Sequence, residues 1–370
     1  MKITAPVVES RGAPFDLREL RLDDPRPDEV LVRVVATGLC HTDISVRDGV
    51  TPFPLPAVLG HEGAGVVEAV GRAVSTLAPG DHVVLSFDSC GGCPSCVAAR
   101  PVYCQHWIPL NLLGGSRLDG SPTIFGPDGP IHGHFFGQSS MATYALATER
   151  SAVKVPDDLP LARLGPLACG VQTGVGSVLN VLRPAAGTTL VVFGAGGVGL
   201  SAIMAGRLTP LTRVVAVDID ERRLALAREL GATDVIDATT GDPVDAVRQL
   251  TGGAGADYTI ETSGRLSVLR QAVDVLGVTG TCVVIGAPPL GSEVALDVPD
   301  LLSRGIRVVG TNQGDSTPKL FIPRLIELHR QGRLPFDRLL RFFPLGEVNG
   351  AVASALSGET VKPVLVMSEP

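Results

Sequence analysis

No stretch of this sequence approaches the ~18 uninterrupted apolar residues that a membrane-spanning helix needs, so no spanning segment is expected. The N-terminus, MKITAPVVESRGAPFDLREL, carries prolines and charges where a secretory leader requires a continuous apolar region. The cytoplasm is therefore the expected compartment, with no membrane partner. Basic residues are in deficit, 31 Lys and Arg against 38 Asp and Glu, for a net charge of −7. Phosphate backbones demand a basic surface, which excludes nucleic acid as the main partner. Aromatic residues make up only 4 % of the chain, and no internal repeat or low-complexity tract is visible. Cysteines number seven, too few and too oddly counted for a disulfide framework. In a reducing compartment they read first as metal ligands or catalytic groups.

What is present points to a well-packed enzyme-sized protein. Hydrophobic residues are 45 % and charged residues 19 %, which permits a large core and argues against disorder. At roughly 150 residues per domain, 370 residues accommodate two. Up to about residue 155 the chain is rich in Gly and Pro, with short β-branched runs such as EVLVRVVATG and GAGVVEAVG, which suggest an irregular, mostly β domain. From about 172 to 310, apolar runs (TLVVF, RVVAVD, TDVID, ADYTIE, TCVVIG, IRVVG) alternate with helix-length stretches such as ERRLALARELGA. That alternation implies βαβ units and a parallel sheet, and six runs match a dinucleotide-binding sheet. After Thr311 the elements become short and mixed again, so the second domain reads as an insertion into the first. The expected divisions are 1–170, 171–310 and a returning segment, 311–370.

In TLVVFGAGGVGLSAIMAG a strand leads into Gly194, Gly196 and Gly199 at G-x-G-x-x-G spacing, with Gly197 and Val198 opening a helix. The first Gly permits a tight turn, the second lets backbone approach a pyrophosphate, and the third lets helix and strand pack closely. Alone, such a turn is common. Here the following strand, RVVAVD, ends in Asp218, 19 residues beyond Gly199, near the spacing of the acid that binds ribose hydroxyls. A carboxylate there repels a 2′-phosphate, which favours NAD over NADP, although Arg222 and Arg223 lie close by.

Cys90, Cys93, Cys96 and Cys104 form C-x2-C-x2-C-x7-C in a loop bent by Gly91, Gly92 and Pro94. Four thiolates suit a closed, tetrahedral, structural zinc. A ferredoxin-type cluster would place its fourth Cys after three residues, whereas here the gap is seven. Cys40, His61 and Cys169 are scattered, and spacing alone cannot join them; their surroundings, GLCHTD, GHEGAGVVEAVG and ACGVQTG, carry the case. Two thiolates and one imidazole leave an open position, as a catalytic zinc requires. His82, His106, His132, His134 and His329 have no motif tying them to a metal and read as ordinary polar residues.

With GHEGAGVVEAVG, the four-Cys loop, CGVQTG, GAGGVG and the closing VKPVL all in family order, the chain resembles the zinc-containing medium-chain alcohol dehydrogenases over essentially its whole length. The resemblance implies a GroES-like, mostly β catalytic domain joined to a Rossmann domain with a doubly wound, parallel, six-stranded sheet. It implies two zinc ions per subunit, one catalytic on Cys40, His61 and Cys169 and one structural on Cys90, Cys93, Cys96 and Cys104. Asp43 is then the acceptor that orients His61, Glu62 lies behind the metal, and Thr42 hands on the substrate proton. His41 and Lys362 match positions that meet the cofactor pyrophosphate, Thr173 lies beside the nicotinamide, and Ile285 and Ala287 meet its carboxamide. Many relatives carry a relay His five residues after the first zinc Cys; here that position is Ser45.

The segment HFFGQSSMATYA and the long stretch 105–133 resemble the aryl-alcohol (benzyl alcohol) dehydrogenase branch, which also takes allylic and terpenoid alcohols. Phe53, Trp107, Phe135 and Phe136 fall in segments that surround the substrate in this family, and together suggest an apolar pocket. The implied reaction is reversible oxidation of a primary alcohol to the aldehyde, with hydride passing to NAD. Family members pair the edges of their cofactor sheets near TCVVIG and IRVVG, which implies a homodimer, with a tetramer as the alternative. Two rivals compete: a thiol-dependent formaldehyde dehydrogenase of the same fold, and a non-catalytic NAD-binding structural protein. The segment QHWIPLNLL offers little polarity for a charged thiol cofactor, and an intact zinc set with Thr42 argues for turnover.

Overall fold

The computed structural model describes residues 1–367. The chain divides into two compact units, one of residues 1–169, 317–327 and 337–370, the other of residues 170–316 and 328–336. Among the described residues no helix is long and apolar enough to cross a membrane.

The first unit is built on two sheets. One has five antiparallel strands in the order Ala57–Val58, Lys2–Val8, Phe15–Leu22, Ile124–Gly126 and Gly129–Ile131. The other centres on Glu29–Gly38, the run EVLVRVVATG, buried along nearly its whole length. This strand pairs antiparallel with Gly63–Val70 on one side, and on the other with Tyr144–Thr148 and Lys362–Val366. Pairing of Val364 with Gly38 is what returns the C-terminal segment to this unit. Its sequence, KPVLV, is an apolar, β-branched run buried except at its last residue, as a central strand requires.

The second unit holds a six-stranded, wholly parallel sheet in the order Asp234–Asp237, Arg213–Asp218, Thr189–Phe193, Ala256–Glu261, Leu276–Val284 and Arg307–Gly310. In chain order this is 3-2-1-4-5-6, the doubly wound dinucleotide-binding arrangement. The helices are locally specified. Asp220, Asp242 and Asp297 cap Glu221–Leu230, Pro243–Leu250 and Val298–Arg304 by accepting from backbone N–H groups of the first turn.

The expected boundary at 310/311 needs correction. Residues 311–316 stay with the second unit because they are knitted to its helix Gly170–Gly176 and the segment just after it. Gln172 donates to Gln313 and accepts from Ser316, and Asn180 donates to the Gly314 carbonyl, each at 3.0 Å. A Cβ on Gly176 would lie 2.3 Å from that same carbonyl oxygen. Residues 328–336 also belong to the second unit.

Candidate functional site

In the first unit, three segments far apart in sequence converge. Cys40 occupies the N-cap of the short helix His41–Arg47, at the end of strand Glu29–Gly38. His61 and Glu62 precede strand Gly63–Val70, and Cys169 ends a 3-10 turn over Gly165–Ala168. That turn is pressed onto the His61–Glu62 backbone: a Cβ on Gly165 would lie 2.2 Å from the Glu62 carbonyl oxygen. Ligand atoms of Cys40, His61, Glu62 and Cys169 all lie within 4.8 Å of one another.

Asp43 organises this cluster. Fully buried, it accepts from Cys40 N at 2.9 Å, from Gly60 N at 3.0 Å and from His61 Nδ1 at 3.2 Å. A carboxylate can only accept here, so Nδ1 carries the proton and Nε2 is left with a lone pair. Nε2 is buried and has no hydrogen-bond partner. A buried polar atom without a partner is costly, and a cation beside the two thiols would satisfy it. The soft donor set of two sulfurs and an imidazole therefore fits zinc.

The electrostatics favour a thiolate at Cys40. A hydrogen bond from the Cys169 thiol, opposed by burial and helped by Lys362 and His61, holds the Cys40 thiol well below its usual range. Cys169 itself is pushed well up by that same bond and by burial. Burial pushes the imidazole down, but Asp43 and the Cys40 thiolate outweigh it and hold His61 well above its usual value, so a proton competes with a metal ion for Nε2. Thr42 Oγ1 lies 3.7 Å from Cys40 Sγ, on the half-buried side of the cluster.

The four-Cys loop forms a second cluster, again with its sulfurs within 4.8 Å of one another. Backbone N–H groups of Cys90, Cys93, Gln105 and His106 point at sulfurs from 3.3 to 3.5 Å. Such donors stabilise thiolates. The Gln105 and Cys96 amides bring the Cys93 thiol down to about 6, while burial drives Cys104 up to about 12.

In the second unit, strand Thr189–Phe193 runs into the glycine turn and helix Gly197–Gly206. Gly194 has φ +96°, and a Cβ on Gly199 would lie 1.8 Å from the Gly194 carbonyl oxygen. A Cβ on Gly196 would meet nothing within 4 Å, so the turn is open where a pyrophosphate approaches. Asp218, at the end of the neighbouring strand, accepts from Ala195 N at 2.5 Å and from Ile219 N and Asp220 N at 2.8 and 3.0 Å. Arg222 is committed to Asp220, whereas the buried Nε of the partly buried Arg223 has no partner. Thr173 lies on helix Gly170–Gly176, which packs against the turn's helix so tightly that a Cβ on Gly174 would meet Val198 O at 2.1 Å. Ile285 and Ala287 follow strand Leu276–Val284, separated from Thr189–Phe193 by Ala256–Glu261, at the same carboxyl edge of the sheet. The Gly197–Val198 helix start, Asp218, Arg223, Ile285 and Ala287 all lie in segments that end or follow strands at the carboxyl side of a sheet whose order reverses between Thr189–Phe193 and Ala256–Glu261.

Known proteins resemble this chain along its whole length. A family model described as "Alcohol dehydrogenase GroES-like domain" matches residues 26–157, and one described as "Zinc-binding dehydrogenase" matches residues 197–328. A geraniol dehydrogenase from Castellaniella defragrans is 45 % identical, over 98 % of this chain and 97 % of its own. The chain belongs to the zinc-binding alcohol dehydrogenase family. Among solved structures, an alcohol dehydrogenase zinc-binding domain protein from Burkholderia ambifaria is 53 % identical with a TM-score of 0.97, each chain covered in full. The benzyl alcohol dehydrogenase of Acinetobacter calcoaceticus is 45 % identical with a TM-score of 0.96, again with full coverage of both chains.

Two residues assigned by resemblance have these surroundings in the structure. Lys362 is buried, with Nζ 2.9 and 3.0 Å from the two Glu62 oxygens and 3.4 Å from Leu39 O. Its ammonium is engaged with the Glu62 carboxylate. Phe135 has 0 % exposure, so it presents no surface to a substrate. Its ring packs behind Phe53, His61 and Phe136, while Phe53 stays partly open and His41 is exposed. Residues with no sequence signal also matter. Asn111 ties Trp107 O to the backbone of Asp88, and Thr262 Oγ1 donates to the carbonyls of Phe193 and Gly194 beneath the glycine turn.

Proposed function

We propose that this protein is an NAD-dependent dehydrogenase that interconverts a primary alcohol (aromatic, allylic or terpenoid) and its aldehyde. The observation that carries the reading is the Cys40–His61–Cys169 cluster, with an unpartnered imidazole lone pair, set beside the rings of Phe53, Phe136 and Trp107. When bound, zinc supplies Lewis-acid polarisation of the substrate oxygen, and the nicotinamide supplies the hydride acceptor.

The chain's own residues do the rest. Cys40, His61 and Cys169 hold the catalytic metal, and Asp43 keeps His61 in the tautomer that can ligate. The Thr42 hydroxyl takes the alcohol proton and releases it outward; with Ser45 in place of a His, the next carrier is water, the cofactor ribose or another group. Cys90, Cys93, Cys96 and Cys104 hold a second, structural zinc. Gly196 and the amino end of helix Gly197–Gly206 would receive the pyrophosphate. Asp218 binds the ribose hydroxyls, with Arg223 beside it, and repels a 2′-phosphate; Thr173, Ile285 and Ala287 frame the nicotinamide. Strand Arg307–Gly310 closes one edge of its sheet with Val308 exposed, which supports edge-to-edge pairing in a homodimer. A cytoplasmic location fits the seven reduced cysteines.

The test is formation of NADH with benzyl alcohol, geraniol, ethanol and formaldehyde plus thiols, in parallel on wild type and Cys40→Ser, with zinc content measured. Turnover of benzyl alcohol or geraniol, lost together with one zinc in the variant, is the expected result. Turnover confined to the formaldehyde–thiol adduct would sink the substrate reading.

A further inference from the structure

The segment running over the candidate metal ligand His61 is conformationally unusual. His134, Phe136, Gly137 and Ser139 all have left-handed backbone, with φ of 58°, 50°, 69° and 50°. Only glycine adopts this region without steric cost, so three other residues in so short a stretch must be held there by their surroundings.

The restraints converge on residues 58–63, the stretch that carries His61. Gln138 is buried and ties that stretch to the backbone of Leu85 and Ser86. Its Oε1 accepts from Gly63 N at 3.1 Å, and its Nε2 donates to the carbonyls of His61, Leu85 and Ser86 at 3.0–3.1 Å. Ser139 Oγ donates to Val58 O at 2.7 Å and accepts from Phe135 N at 3.0 Å. Ser140 N and Met141 N donate to Gly60 O and Leu59 O, both at 3.0 Å. The two backbones are in such close contact that a Cβ on Gly60 would lie 2.3 Å from Met141 N.

The product of this arrangement is a ring laid flat on the imidazole. Phe136 and His61 have centroids 4.5 Å apart and planes 23° apart, while Phe135 meets the same imidazole edge-on at 5.4 Å and 86°. Trp107 backs Phe136 at 6.2 Å. The χ2 torsion of a histidine is broad, so one hydrogen bond from Nδ1 to Asp43 leaves the ring free to rock about its Cβ–Cγ bond. A parallel ring at stacking distance blocks that rocking, because any tilt drives an imidazole edge into the phenyl face.

We infer that Phe136 is a positioning residue: held by the left-handed His134–Ser139 segment, its ring fixes χ2 of His61 and so aims Nε2 at the metal. The inference rests on His61 being a ligand of the catalytic zinc. It also gives Phe136 a role other than substrate wall, in keeping with an exposure of only 6 %.

Zinc release from the holoenzyme to a chromogenic chelator tests it, with Cys40→Ser identifying which kinetic phase belongs to the catalytic site. Phe136→Leu is expected to accelerate that phase about tenfold or more and leave the four-Cys phase unchanged. Its kcat for ethanol should fall as well, since so small an alcohol makes little use of a pocket wall. Phe136→Tyr keeps the ring and should keep release slow. If Phe136→Leu fails to fold, Phe136→Met is read by the same criteria. Wild-type release together with a raised KM for benzyl alcohol alone would overturn the inference in favour of a substrate wall. Equal acceleration of both phases would overturn it in favour of general loosening. A wild type with no zinc that Cys40→Ser removes would instead sink the metal reading, and this inference with it.

Discussion

Replacing Lys362 with methionine would strip a buried carboxylate of its cationic partner. The two side chains are 7 % and 0 % exposed, and the ammonium lies 2.9 and 3.0 Å from the Glu62 oxygens. At that separation and an effective dielectric of 20, the attraction is about 5–6 kcal/mol before desolvation is counted. Methionine matches most of the lysine volume, so the dominant loss is a buried charge left uncompensated, about 3–5 kcal/mol. Glu62 has little room to relocate on the Gly38 side, where a Cβ would already lie 2.0 Å from its Oε2. Urea unfolding of the zinc-loaded protein at neutral pH should show this loss as a lower midpoint with an unchanged slope. The double variant Glu62→Gln/Lys362→Met should recover about half of it, because a buried neutral amide costs less than a buried charge. KM for NAD should move little, since the ammonium is spent on Glu62 and Leu39. A loss below about 1 kcal/mol together with a tenfold rise in KM for NAD would refute the reasoning and return Lys362 to the cofactor.

Two further outcomes follow from the geometry. Gly199→Ala places a Cβ 1.8 Å from a backbone oxygen, so it should cost about 1–3 kcal/mol in stability and weaken NAD binding at least severalfold. Gly196→Ala meets no protein atom within 4 Å, so fluorescence titration should show weakened NAD binding with an unchanged melting temperature. Glu149 accepts from Thr76 Oγ1 and from the amides of Ser75 and Thr76, which brings its carboxyl down from 4.5 to about 2. A lowered folded-state pKa stabilises the protein fully above the unfolded value, and that contribution fades as pH falls through the folded one. Glu149→Gln should therefore be less stable than wild type at neutral pH, with the difference shrinking from pH 4.5 to about 2 in acid-unfolding curves.

The sequence by itself determined whatever is encoded over short spans. Six apolar runs spaced by helix-length stretches specify a parallel sheet, since each run can bury both faces only if helices cover them. The four-Cys loop gathers its sulfurs within fifteen residues, so its cluster needs little more than the turn that Gly91 makes at φ +73°. Gly194 and Gly199 are likewise legible, because strand, turn and helix are contiguous.

Tertiary structure decided everything that depends on register and on side-chain direction. Cys40, His61 and Cys169 are joined by long-range contacts, such as Gly165 against the Glu62 backbone, that no spacing rule anticipates. Lys362 begins a strand whose pairing with Glu29–Gly38 sets it beside Glu62, so a cation that resemblance assigns to the cofactor ends as a buried partner. Gln138 and Asn111 look like ordinary polar loop residues until the backbones they bridge are brought together. Phe135 and Phe136 are adjacent and chemically identical, yet one vanishes into the core while the other stacks on His61. Composition cannot separate them, because backbone dihedrals set by hydrogen bonds from another strand decide where each ring points.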